Sequence, residues 1–138
     1  MFEQDYLMRV FVKFAEAIRR SMQKANGDHD AAAAAETIES AVSEATDLDG
    51  DVLLSLAPDS IASILSVSGT DPRVIEYIAR SLLLESVYLA DSNQPEKSQL
   101  RADQAHALAD AYNLDLTEAS ISPEELDELF EETQGQVR

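Results

Sequence analysis

One histidine lies in a row of carboxylates that has the spacing of a metal site. Asp103, His106 and Asp110 are three and four residues apart, so one face of a helix would carry all three side chains. Imidazole and carboxylate groups are ligands that divalent metals such as zinc bind. One helix face supplies at most three such ligands, so the site would need others from elsewhere. An exposed histidine among solvated acids explains the same pattern, and we expect no metal or other cofactor.

Two further motifs resemble parts of known metal sites without completing one. His29 and Asp30 form the dipeptide of phosphohydrolases of the HD type, but two histidines are too few for that ligand set. Residues 47–51 are acidic like the start of an EF-hand loop, which needs glycine at its sixth position and glutamate at its twelfth. Val52 and Pro58 stand there instead, so we expect a capped turn. No phosphate loop, nucleophile motif or zinc signature singles out a catalytic residue.

The charge of the chain is strongly acidic and unevenly distributed. The net charge of its 138 residues is −17. Residues 1–24 hold five basic and three acidic residues, a net charge of +2, whereas the remainder holds five basic and 24 acidic residues, a net charge of −19. An acidic surface repels nucleic acid, so we expect no binding to DNA or RNA. The same surface could attract a basic partner or serve only as a solvated exterior.

The composition and the N-terminus predict a cytoplasmic protein. The chain has no cysteine, so disulfides and thiolate metal sites are excluded. No apolar run approaches the ~20 residues that a membrane-spanning helix needs. The first residues include Glu3 and Asp5 where a secretory signal would be positively charged.

Residues 3–24 are predicted to form an amphipathic helix with an apolar face and a basic face. At about 100° per residue, its apolar side chains fall within an arc of roughly 160°. The large members of that arc include Leu7, Phe11, Phe14 and Ile18, and the opposite side carries Arg9, Lys13 and Arg20. Such a helix can cover its own core, dock on a partner or a second copy, or lie on an anionic membrane. The acidic remainder of the chain argues against the membrane.

Residues 71–91 are predicted to form the central helix, around which the others are arranged. This segment opens on an Asp-Pro pair, a typical helix start. One apolar face covers about half of its circumference, and Tyr77, Leu84 and Tyr88 form a second strip, so we expect packing on two sides. A short turn leads into a helix ending near residue 112, which makes the two helices an antiparallel hairpin.

The other segments complete a single all-α domain over residues 1–138. Residues 28–70 are expected to form a helix and two short helices, and residues 71–114 the central hairpin. Residues 122–134 are expected to form an acidic C-terminal helix that starts with a Ser-Pro-Glu-Glu capping box. Alanine and leucine dominate the composition, which favours helices over strands. We therefore predict a single-domain helical bundle of five to six helices.

Three stretches resemble a family of small, uncharacterised bacterial helical proteins, a domain of unknown function. They are the opening FEQDYLMR of residues 2–9, residues 48–68 and the hairpin of residues 72–112. Together they cover more than half of the chain. The hairpin is also similar in part to tetratricopeptide helix pairs, although no repeat of about 34 residues is present. The resemblance implies an all-helical fold and no established activity, and it assigns no catalytic residue.

Two hypotheses about function follow from these patterns. The first is a non-enzymatic interaction or scaffold protein that binds a protein partner, or a second copy of itself, through the first helix. In that hypothesis the apolar anchors are Leu7, Phe11, Phe14 and Ile18, and the charges that steer the partner are Arg9, Lys13 and Arg20. The second is a metal-dependent enzyme or metal-binding module centred on Asp103, His106 and Asp110. The sequence favours the first.

Overall fold

The chain folds into helices joined by short connections. In the computed structural model, which describes residues 2–137, no strand is present among those residues. The α-helices are α1 (Phe2–Met22), α2 (Ala31–Thr46), α3 (Gly50–Leu53), α4 (Pro58–Val67), α5 (Pro72–Asp91), α6 (Pro95–Ala111) and α7 (Pro123–Val137). A π-helical turn, Gln23–Gly27, extends α1, and a 3-10 turn, Glu118–Ile121, precedes α7. The prediction of an all-α single domain is confirmed. The described residues form seven α-helices where five to six were predicted, and the additional one is the single-turn helix α3.

The central helix α5 packs on two sides, as its two apolar strips predict. Asp71 caps its first turn by accepting a hydrogen bond from the backbone N–H of Arg73 at 2.8 Å. The second strip is buried, because Tyr77, Leu84 and Tyr88 are 1, 6 and 5 % exposed. Helices α1, α2 and α6 and the 3-10 turn all contact α5. The middle of the fold is therefore a helix with neighbours around most of its circumference.

Helices α5 and α6 form the predicted antiparallel hairpin. The connection contains Asn93, whose φ of 64° is a left-handed conformation that asparagine tolerates better than most residues. The Ser98 hydroxyl donates a hydrogen bond to the Ser86 carbonyl oxygen at 2.6 Å, which joins the two helices close to the turn. Ala105 and Ala109 are buried, and such small side chains let neighbouring helices approach closely.

An aromatic cluster joins α1 to α5 and α7. The rings of Phe11 and Phe14 stack on Tyr77, with centroids 5.2 and 5.7 Å away. The Tyr77 hydroxyl is hydrogen-bonded to the Thr133 hydroxyl at 2.8 Å, so the buried phenol keeps a polar partner. Ser122 accepts a hydrogen bond from the backbone N–H of Glu125, which is the predicted N-terminal cap of α7.

Candidate functional site

The predicted metal-binding row lies on the outer surface of α6. Asp103, His106 and Asp110 are all exposed. Asp103 accepts a hydrogen bond from the Gln99 side chain at 2.8 Å. Within residues 2–137 the fold brings together no group of three or more histidine, aspartate and glutamate side chains that could hold a metal ion. The row therefore gains no ligand from another element of the described chain.

The predicted apolar anchors of the first helix lie inside the molecule. Each is at most 5 % exposed and belongs to the main hydrophobic core: Leu7, Phe11, Phe14 and Ile18. They pack against the chain's own helices, which is the alternative that the amphipathic pattern left open. A partner could not reach them without displacing those helices. If α1 binds a partner, other side chains must make the contact.

A groove between α1 and α2 exposes part of the first helix to solvent. It encloses about 230 Å³. The residues that line it are Tyr6, Arg9, Val10, Lys13 and Phe14 from α1, and Ala41, Glu44 and Ala45 from α2. Val10 and Phe14 are buried and form an apolar floor, whereas Tyr6 is half exposed at the rim. The groove thus combines a hydrophobic base with charged groups around its opening.

The cations at this groove have no partner within the part of the chain that the structure describes. Arg9 and Lys13 are exposed and make no hydrogen bond or ion pair with any described residue, and the same is true of Arg20 further along the helix. Two other cations of α1 and its π-helical extension are engaged. Arg19 forms an ion pair with Asp127, in which the nitrogen and oxygen are 3.4 Å apart. Lys24 donates a hydrogen bond to the Thr37 hydroxyl at 2.8 Å. The free cations of α1 are therefore concentrated on one side.

A second polar region is enclosed between α2, α5 and α6. The Arg101 guanidinium, 5 % exposed, donates to Glu85 at 2.9 Å, to Glu39 at 3.0 Å and to the Leu54 carbonyl oxygen at 2.7 Å. Gln104 also donates to that carbonyl, at 3.0 Å. We call these four side chains, Glu39, Glu85, Arg101 and Gln104, the buried network. It ties three helices to the connection between α3 and α4.

The two carboxyl groups of the buried network have opposite protonation behaviour. Burial, reinforced by the neighbouring Glu39 carboxyl, raises the pKa of Glu85 to about 9 although Arg101 opposes the rise. Burial also acts to raise the pKa of Glu39, but hydrogen bonds with Glu85 and Arg101 outweigh it and leave that pKa below its ordinary value. At neutral pH Glu85 is therefore protonated and Glu39 is ionised. The charges of Glu39 and Arg101 then balance.

Sequence reasoning missed the buried network because each member resembles a surface residue. The available signal was the position of Glu85, which lies on the same helical row as Ile78, Leu82 and Leu89. A carboxyl group on an otherwise apolar row has to be buried with a partner or left unpaired. Arg101 carried no comparable signal, because α6 has several polar faces.

The buried network reaches solvent at a cleft of about 270 Å³. Glu39 and Arg101 line this cleft together with Gly50, Asp51, Leu54, Ser55, Lys97 and Leu100. Glu85, the protonated acid, does not line it and is fully buried. Arg101 already donates to four acceptors, Glu85, Leu54, Gln104 and Glu39. The guanidinium of Arg101 therefore holds the fold together, and few of its N–H groups are left to bind a ligand.

Two further findings do not concern any single site. Among residues 2–137, no helix combines the length and apolar character needed to cross a bilayer. Comparison with known proteins gave no match, whether to a protein-family model, to a curated protein or to a solved structure. The function must therefore be argued from the geometry of the chain itself.

Proposed function

We propose that this chain is a non-catalytic protein-interaction module, and that its groove between α1 and α2 binds an acidic, amphipathic segment of a partner protein. The observation that supports this most is the pair of cations, Arg9 and Lys13, which stand above an apolar floor and have no partner in residues 2–137 as described. An amphipathic segment would place its apolar side chains against Tyr6, Ala41 and Ala45, over the floor of Val10 and Phe14, and its carboxylates beside the cations. This retains α1 as the binding element, with the exposed side chains of Tyr6, Arg9 and Lys13 making the contact in place of the buried anchors.

The local charge favours an acidic partner even though the whole chain is acidic. Charges at the surface are screened over a Debye length of about 8 Å at physiological salt. Among the described residues that line the groove, the cations Arg9 and Lys13 outnumber the acid, Glu44. The distant acids lower the rate of encounter with an acidic partner, whereas the local cations stabilise the docked complex.

Other functions have less support from the contacts. The metal-dependent alternative rests on Asp103, His106 and Asp110, which are exposed on one helix without further ligands nearby in the described chain. The buried network has the residue types of an acid–base site, but its guanidinium and its amide bond to protein groups. We also propose that the chain belongs to the family of small bacterial helical proteins that it resembles. Its location in the cytoplasm is likewise a proposal.

The test is a binding titration with a synthetic acidic peptide. The probe is a fluorescein-labelled, capped helical peptide built from leucine and glutamate, followed by fluorescence anisotropy. We expect saturable binding that weakens as salt is added. Reversing both rim charges, Arg9→Glu with Lys13→Glu, should weaken binding about tenfold, since each pair is worth roughly 1 kcal/mol at most. The peptide with lysine in place of glutamate should bind more weakly than the acidic one.

The single variant Lys13→Glu has a matched control in Arg20→Glu, which makes the same charge change on the same helix. Arg20 does not line the groove and lies about 10 Å along the helix from Lys13. We expect it to change the affinity by less than about twofold. Equal losses for Arg20→Glu and Lys13→Glu, or no saturable binding by the acidic peptide, would reject the groove. Light scattering on the same proteins detects a second copy as the partner, in which case the double variant dissociates the oligomer.

A further inference from the structure

A second pocket lies at the end of α1 that is remote from the groove, where α1, α2, α5 and the segment leading into α7 meet. It encloses about 390 Å³. Its walls are mostly apolar and come from the end of α1 with its π-helical turn, from the residues around the start of α2, from the end of α5 and from the 3-10 turn and α7. The apolar side chains are Met22, Ala25, Ala31, Leu84, Val87, Tyr88, Ile121 and Pro123. This is the size and character of a small-molecule site rather than of a contact for a whole helix.

The backbone around this pocket adopts two uncommon conformations. The turn Gln23–Gly27 is π-helical, a rare form that is frequent at functional sites. His29 follows with a φ of 54°, a left-handed conformation that is uncommon for residues other than glycine. Both features lie in the segment that carries Ala25, Asn26 and His29 to the pocket. Irregular backbone of this kind gathers at ligand sites, where surrounding contacts maintain it.

Among the described residues, three polar side chains that line the pocket have no partner in the rest of the described chain. Asn26, His29 and Asp91 are exposed and make no hydrogen bond or ion pair with any described residue. The Tyr88 hydroxyl, in contrast, is hydrogen-bonded to the Ser21 hydroxyl at 3.0 Å. The pocket therefore has an apolar interior and a polar opening. A ligand that fits it has an apolar body and one polar end.

We propose that this pocket binds a small hydrophobic cation, with its apolar body between Leu84, Val87 and Ile121 and its positive group beside Asp91. Among the described residues that line the pocket there is no lysine or arginine, and Asp91 is the one carboxylate. The net charge of −17 attracts a cation to the surface and repels an anion. The site is separate from the groove between α1 and α2, so it adds a ligand to the proposed interaction function.

The experiment compares three ligands that share one aromatic body. The probes are naphthylmethylammonium, naphthylmethanol and naphthoate, each titrated into the full chain by calorimetry. One ion pair at an exposed site changes affinity roughly threefold, so we expect the ammonium to bind about threefold tighter than the alcohol and the naphthoate to bind weakest. Asp91→Asn should make the ammonium and the alcohol bind equally. Equal binding of all three probes to the wild-type chain would overturn the proposal.

Two tryptophan variants place the binding at this pocket. Val87→Trp adds bulk at the partly exposed wall and should abolish binding of all three probes. Val67→Trp makes a similar addition on α4, outside this pocket, and should leave binding unchanged. Unaltered binding by Val87→Trp would overturn the proposal. If Val87→Trp fails to fold, amide NMR shifts in the wild-type chain decide instead, because the ammonium must perturb Ala25 and Ala31 for the proposal to stand.

Discussion

The chain uses cations in two opposite environments. In the buried network, Arg101 is enclosed by Glu39, Glu85 and a backbone carbonyl, and each hydrogen bond stays inside the molecule. At the groove between α1 and α2, Arg9 and Lys13 face solvent and have no partner among the described residues. The first arrangement satisfies charge internally, and the second leaves it available.

This contrast separates residues that maintain the fold from residues that can bind. A buried ion pair adds little net stability over apolar packing, but removing one partner leaves a charge that neither water nor protein satisfies. An unpaired surface cation contributes little to folding, because water already solvates it. Substitutions in the buried network should therefore change stability, and substitutions at the groove should change binding.

The largest effect is expected from Arg101→Met. This change keeps much of the apolar stem but removes the donor that Glu39, Glu85 and the Leu54 carbonyl oxygen share. We expect a loss of about 3–5 kcal/mol in the free energy of unfolding, as is found when one partner of a buried pair is removed. Urea denaturation followed by circular dichroism measures it.

Lys97→Met is the matched control for that variant. Lys97 lies on the same helix and lines the same cleft, but it is exposed. We expect a change within about 0.5 kcal/mol. Similar losses for Lys97→Met and Arg101→Met would contradict the separate role of the buried network.

An effect of opposite sign is expected from Glu85→Gln. The pKa of Glu85 is raised to about 9 by burial, above its ordinary value of 4.5. The folded state therefore holds a proton that the unfolded state releases, and the stability that Glu85 contributes falls as the pH rises from about 4.5 to 9. Glutamine resembles the protonated acid, so the variant should be more stable than the wild type at pH 8, by on the order of a few kcal/mol. The advantage should shrink toward zero at pH 5.

Urea unfolding of both proteins at several pH values measures this difference. Titrating groups whose pKa does not depend on Glu85 cancel when the two curves are subtracted. If Glu85 were ionised and paired with Arg101, the glutamine variant would be less stable than the wild type at pH 8. That outcome would also remove the charge balance that we assign to the buried network.

The sequence predicts the fold better than it predicts either region. Helix boundaries follow from local signals such as the Asp71 cap, and two-sided packing of α5 follows from where its apolar side chains recur. Periodicity also identifies the apolar face of α1. It does not say whether that face covers the chain's own core or a partner, because both choices bury the same side chains.

The two regions depend on which helices become neighbours, and this is a long-range property. Glu39 and Arg101 are 62 residues apart in the chain, and no local pattern relates them. The groove depends on how closely α2 approaches α1 beside Arg9 and Lys13. The sequence identified these two cations as candidates for contact with a partner. It could not show that they border an apolar groove while the large side chains of α1 are buried.

The most direct test of the division between the two regions is an NMR map of the acidic leucine–glutamate peptide on the full chain. We expect backbone amide shifts to change around Tyr6, Lys13 and Ala45 at the groove, while amides around Glu85 and Arg101 stay unchanged. Changes centred on the buried network, or shifts scattered over the whole surface, would contradict the account.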